Sequence, residues 1–215
     1  MDFINTDIEC LRLIHKHTGA RVEPDSFIDR AIHHIISFHK LVDLGKVNPL
    51  TLHHYRLSNT FREFGISWSE GYVDRYKRIL LERATPYPNV HNVLSYLNGK
   101  VKLGILTNAY DPVMQTGRIQ ASGLAGFFEQ VQISGEEIYA KPDPKAFHLI
   151  SNRLGTIPEE CIFIGDSPRY VIDGAISAGM MAILIQRETA APMGNPDISV
   201  KSIKELGSIL KKLIA

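Results

Sequence analysis

"CIFIGDSPRYVIDGAISAGM" (residues 161–180) decides the fold. The apolar run Ile162-Phe163-Ile164 ends on Gly165-Asp166-Ser167, and a second acid, Asp173, follows on what reads as a helix. A solvated loop acid needs no apolar run leading into it. Open α/β sheets, by contrast, keep their ligands outside the carboxyl ends of buried strands. Gly165 permits close backbone approach, and the small residues of "DGAISAG" (173–179) let the helix pack tightly on a sheet. Two carboxylates so placed suit a hard divalent cation such as Mg²⁺, which takes carboxylate oxygens and water. The plainer role for Asp166 is a helix N-cap.

Outward from this stretch, short apolar strands alternate with helices. "VKLGILTN" (101–108), "PVMQTGRIQASGLAGFF" (112–128) and "FEQVQIS" (128–134) come first, then "PKAFHLISNRLG" (144–155). "MAILIQ" (181–186) and a terminal "VKSIKELGSILKKL" (200–213) complete the set. Runs apolar on both faces, alternating with helices, argue a parallel sheet covered on both sides. Pro86 and Pro88 mark a boundary, and the texture ahead of them differs. "DIECLRLIHKHTG" (7–19), "EPDSFIDRAIHHIISFHKLVDLG" (23–45), "NPLTLHHYRLSNTFREFG" (48–65) and "SWSEGYVDRYKRILLERA" (67–84) read as four amphipathic helices. The expected architecture is α/β: an open parallel Rossmann-like sheet of at least four strands with an inserted four-helix cap. Residues 7–84 form the cap; 85–215, with residues 1–6, form the core.

Two further strand ends carry polar residues suited to phosphate. Thr107-Asn108 follows "LGIL", where a hydroxyl and a backbone N–H can donate to a phosphoryl oxygen, or simply begin a turn. In "AKPDPKAF" (140–147), Pro142 and Pro144 fix the backbone just after Lys141. A rigidly mounted ammonium offsets charge on a transferring phosphoryl group. A capped helix preceded by a solvated Lys is the alternative.

Taken in order, "ILTNA", "KPDPKAF" and "IFIGDSPRYVIDGAISAGM" resemble the second, third and fourth motifs of the haloacid dehalogenase superfamily. The resemblance is to the subgroup with a helical cap after the first strand, and it covers nearly the whole chain. It implies a Mg²⁺-dependent phosphomonoester phosphatase working through an aspartyl-phosphate. Thr107 would then bind the phosphoryl group, with Asn108 beside it. Lys141 would hold nucleophile and phosphate together, Asp166 would ligate Mg²⁺, and Asp173 would support the metal. The substrate would be a small phosphorylated metabolite. The Gly-Asp-Ser…Asp pattern favours phosphate over halide; a 2-haloacid dehalogenase-like hydrolase and a catalytically dead binding module are the other readings.

The first family motif, an apolar strand ending in Asp-x-Asp-x-Thr, has no good match. Its first Asp is a nucleophile and its second an acid and base. "DFINT" (2–6) offers Asp2 and Thr6 but Ile4 between them, and only Met1 ahead. "FINTD" (3–7) instead fits the stretch that follows that motif, so the first core strand is expected to be absent or vestigial and Asp2 a doubtful nucleophile. A late recorded start, a degenerate gene and a fold that binds without catalysis explain this in that order. The chain as written is expected not to turn over.

Lys plus Arg number 24 against 23 Asp plus Glu, a formal charge of +1, which leaves no global field to hold nucleic acid or an anionic membrane. Cys10 and Cys161 show no pairing pattern, as in a reducing compartment. The start "MDFINTDIEC" has no basic region followed by an apolar stretch, so no signal peptide is expected, and no apolar run nears the ~18–20 residues of a membrane span. The expectation is a cytoplasmic protein. His33-His34 and His53-His54 lack i, i+4 partners, so satisfied or surface imidazoles are the reading rather than zinc ligands.

Overall fold

The computed structural model describes residues 3–186 and 196–214. In chain order the helices and strands are α1 (Phe3–Thr18), α2 (Pro24–Asp43), α3 (Leu52–Glu63), α4 (Gly71–Glu82), α5 (Val90–Leu97), β1 (Gly104–Thr107), α6 (Pro112–Ala121), β2 (Gln130–Ile133), α7 (Pro144–Arg153), β3 (Ile162–Gly165), β4 (Met181–Ile185), β5 (Ile198–Val200) and α8 (Ile203–Leu213). A π-helical segment, Arg169–Ile176, links β3 to β4. The chain forms two compact units: Met1–Thr85 with Val113–Ser122, and Pro86–Pro112 with Gly123–Ala215.

The first unit is helical. α1 stops at Gly19, whose φ of +65° ends the helix at little steric cost. α2 starts on Pro24 with Asp25 in its first turn, where a missing N–H is harmless and a negative charge meets the helix dipole. Cys10, Leu11, Ile14, Phe27, Ala31, Leu57 and Phe61 are wholly shielded from water and form its core. α6 joins this unit from the α/β half of the sequence. Its Met114 packs on the helical core, and a Cβ on Gly117 would lie 3.1 Å from Leu81, so the small residue permits that approach.

The second unit is α/β, and among the described residues all its strand pairings are parallel. β1 pairs with β2, Gly104 opposite Gln130 through Thr107 opposite Ile133. β3 pairs with β4 and β4 with β5. The five described strands therefore form a two-stranded and a three-stranded sheet. Among the described residues β1 and β3 each pair on one side only. Ala146, Phe147, Ala175 and Ala182 fill the core on one side, Ile183 and Val200 on the other.

Two elements escape the sequence reading. α5 carries Val90, Val93, Leu94 and Leu97 at helical spacing, a signal masked by treating Pro86 and Pro88 only as a boundary. β5 is three residues long, too short to show a period.

Candidate active site

β1 delivers Thr107 and Asn108 to one strand end, β3 delivers Asp166 to another, and the loop before α7 delivers Lys141. The glycine that opens β1 lets α7 lie directly on the strand. A Cβ on Gly104 would come within 3.0 Å of Leu154 and 3.1 Å of Ile150. The Asp143 carboxylate caps α7, accepting from the Lys145 N–H at 2.9 Å, with Pro144 in the first helical position. The loop bearing Lys141 is therefore moored to a fixed helix.

Three hydrogen bonds join Lys141 to the end of β1. Its ammonium donates to the Leu106 carbonyl at 2.9 Å. Its backbone N–H donates to Asn108 Oδ1 at 3.0 Å, and its carbonyl accepts from Asn108 Nδ2 at 2.8 Å. The ammonium also stands 5.5 Å from the centre of the Phe163 ring on β3, within cation–π range. Burial pushes the Lys141 ammonium down to about 8, and the negative charge of Asp166 opposes that shift. Asp166 itself is exposed. Thr107, Asn108, Lys141 and Asp166, singled out in the sequence, thus come to one end of the α/β unit.

Asp173 stands exposed on the π-helical segment. The next residue, Gly174, is where that segment presses on α7: a Cβ there would lie 2.6 Å from the Phe147 ring and 3.1 Å from the Pro142 carbonyl. Asp2 lies outside the described residues. The described residues gather no three His, Cys, Asp or Glu side chains able to hold a metal ion. Asp166 is a single hard oxygen donor, and Mg²⁺ is commonly held through one or two carboxylates, completed by water and phosphate oxygens.

A second group of ionisable residues, in the helical unit, was not legible in the sequence. Arg56 donates to both carboxylate oxygens of Asp7, at 3.1 and 2.8 Å, and the Tyr76 hydroxyl donates to the same carboxylate. The guanidinium lies over the Tyr76 ring, 4.4 Å from its centre. Burial pushes the Asp7 carboxyl up, but the Arg56 charge and hydrogen bonds, with the Tyr76 hydroxyl, hold it below its ordinary value. Buried and paired on α1, Asp7 is no nucleophile. Burial, helped by the Asp7 charge, pushes the Cys10 thiol up to about 12, which leaves it unreactive. Asp7 and Arg56 are 49 positions apart, and no local pattern links them.

The chain matches the haloacid dehalogenase-like hydrolase family over residues 19–179. It is 30% identical to the N-acylneuraminate-9-phosphatase of Homo sapiens over 142 residues, 64% of this chain and 57% of that protein. It is 33% identical to the phosphoserine phosphatase of Thermus thermophilus over 123 residues, 56% of this chain and 49% of that protein. The chain therefore spans about half the length of these relatives. The magnesium-bound HAD-hydrolase YfnB from Bacillus subtilis shares the fold, with a TM-score of 0.79 at 23% identity over 98% of this chain and 93% of that one. So does the L-2-haloacid dehalogenase of Xanthobacter autotrophicus, with a TM-score of 0.70 at 19% identity over 94% and 93%. No helix among the described residues is long and apolar enough to cross a membrane. With a match that spans most of its length, this chain belongs to the haloacid dehalogenase-like hydrolase family.

Proposed function

We propose that this fold serves hydrolysis of a small, cytoplasmic phosphomonoester through an aspartyl-phosphate, with residues 7–84 as cap and 85–215 as catalytic core. The observation that carries the reading is the anchored ammonium of Lys141, tied to the end of β1 and attracted by Asp166. A phosphoryl group at that strand end meets the Thr107 hydroxyl, the Asn108 backbone N–H and the Lys141 charge together. Fixed donors of this kind stabilise transferring phosphate without reorganising. Asp166, with Asp173 in support, would hold Mg²⁺, which would supply Lewis-acid stabilisation of phosphate charge. The curated relatives named above are phosphatases, which supports phosphate over halide.

The same reading holds the chain as written to be silent in turnover. Ile4 occupies the place two residues after Asp2, and an isoleucine moves no proton. Incubation with p-nitrophenyl phosphate and Mg²⁺, beside calorimetric titration with inorganic phosphate, tests both parts. The expected result is no steady release of p-nitrophenol, with phosphate binding that Thr107→Ala and Lys141→Met each weaken. Steady turnover abolished by Asp166→Asn overturns the silence. Phosphate binding that ignores Lys141→Met overturns the phosphate site.

A further inference from the structure

We propose that Asn108 and Ser134 are positioning residues, which hold the turn after β1 and the backbone of Lys141 so that the ammonium and the turn face the same ligand. The proposal rests on the phosphate reading above for its ligand, but its geometry stands independently. Asn108 meets Lys141 through both ends of its side-chain amide, Nδ2 to the carbonyl at 2.8 Å and Oδ1 from the N–H at 3.0 Å. A backbone N–H only donates and a carbonyl only accepts, so the amide has one workable orientation. Its side chain imitates a peptide group paired with a neighbouring strand. Together with the bond from the Lys141 ammonium to Leu106, the clamp closes a ring. The backbone is fixed at Asn108 and the tip of the side chain two residues earlier, so the ammonium is located from both ends.

The next residue is held in the same way from the other side. Ser134 Oγ accepts from the Ala109 N–H at 3.1 Å and donates to the Ala109 carbonyl at 3.5 Å. Gly135 completes that wall, since a Cβ there would fall 2.8 Å from both the Ala109 carbonyl and Pro112 Cγ. Residues 107–109 are therefore pinned at Asn108 by one loop and at Ala109 by another. Asn108 is exposed. Hydrogen bonds open to water exchange with it at small net gain, so this clamp contributes more to geometry than to the fold. A donor set misplaced by even a small distance loses its advantage for phosphate. The side chain of Asn108 thus acts through Lys141, while its backbone N–H stays with the turn that faces the ligand.

The test uses the full chain with ¹⁵N-labelled lysine, its Lys141 ammonium signal assigned by its disappearance in Lys141→Met. Amide hydrogen exchange at Lys141 and titration with inorganic phosphate complete the measurement. In Asn108→Ala the Lys141 ammonium signal is expected to move or broaden, the Lys141 amide to lose protection, and phosphate affinity to fall about ten-fold. Combining Asn108→Ala with Lys141→Met should add nothing to the loss from Lys141→Met alone. Asn108→Asp keeps the acceptor for the Lys141 N–H but sets a second acceptor against the Lys141 carbonyl, so it should restore the amide protection only in part; it also serves if the alanine variant does not fold. Ser134→Ala should give a smaller loss confined to the turn. An unmoved Lys141 signal with unchanged phosphate affinity in folded Asn108→Ala overturns the proposal. If the unaltered chain binds no phosphate, the phosphate reading fails, and the Lys141 ammonium and amide signals alone decide whether the clamp exists.

Discussion

Arg56 and Asp7 meet through two guanidinium–carboxylate hydrogen bonds, at 3.1 and 2.8 Å, with Arg56 wholly shielded from water and Asp7 nearly so. The pair fastens α1 to α3, and the Tyr76 hydroxyl from α4 joins the same carboxylate. A polar knot of this kind contributes little over a well-packed apolar core, but breaking it on one side leaves a charge stranded out of water.

Arg56→Met should therefore destabilise the chain by about 3–5 kcal/mol, the cost of an uncompensated buried carboxylate. The double variant Asp7→Asn with Arg56→Met should recover a large part of that loss. Urea unfolding of the three proteins checks it. Equal midpoints for the single and double variants would show that shape rather than charge holds the knot together.

The same pair sets an acid limb. Asp7 is held below its ordinary value of 3.8, so the folded chain binds that proton less readily than the unfolded one. Its contribution is complete above 3.8 and is lost as pH falls through the lower folded value. Stability of the Asp7→Asn, Arg56→Met double variant should fall less steeply below pH 4 than that of the unaltered chain. Parallel acid limbs in urea midpoints taken against pH would count against the assignment.

Lys141 gives the opposite sign at the alkaline end. Its folded value of about 8 lies below the ordinary 10.5, so between the two the unfolded chain carries more proton. Burial of the ammonium costs stability in full below about pH 8 and is relieved as pH rises towards 10.5. Lys141→Met should melt higher than the unaltered chain at pH 7, by about 2–4 °C, the shift given by about 1 kcal/mol in a chain of this size. The gap should narrow at pH 10, and calorimetric melts at the two pH values decide.

Gly174→Ala should destabilise by about 1–3 kcal/mol, because its methyl would enter the space of the Phe147 ring, 2.6 Å away. Adding Phe147→Leu removes the ring edge and should make the alanine at 174 less costly than it is beside Phe147. Thermal melts of the single and double variants measure that coupling.

Much of the α/β unit was legible because its information is local. "CIFIGD" has the apolar run and terminal glycine of a buried strand, and β3 ends at Gly165, next to Asp166. "KPDPKAF" carries its own helix start, and Asp143 does cap α7. Thr107, Asn108, Lys141 and Asp166 could be picked out because each sits where a strand ends or a helix begins. Asp173 was legible as a helical acid, and the tight packing beside it follows from Gly174.

Other features depend on residues far apart in the chain. α6 reads in sequence as one more helix of the α/β alternation, but Met114 and Gly117 place it among the helices of the first unit. The Asp7–Arg56–Tyr76 knot draws on three helices, and the Asn108–Lys141 clamp joins loops 33 positions apart. The division of the strands into a pair and a triplet is likewise a matter of which edges meet. The amino-acid sequence by itself determined the strand–helix alternation and the polar strand ends, because periodicity and turn chemistry act between near neighbours; the family was legible in the resemblance of three of its motifs. Only the tertiary structure decided which buried charges neutralise each other and which side chain holds Lys141 in place, because desolvation and hydrogen-bond geometry depend on what surrounds a group in space.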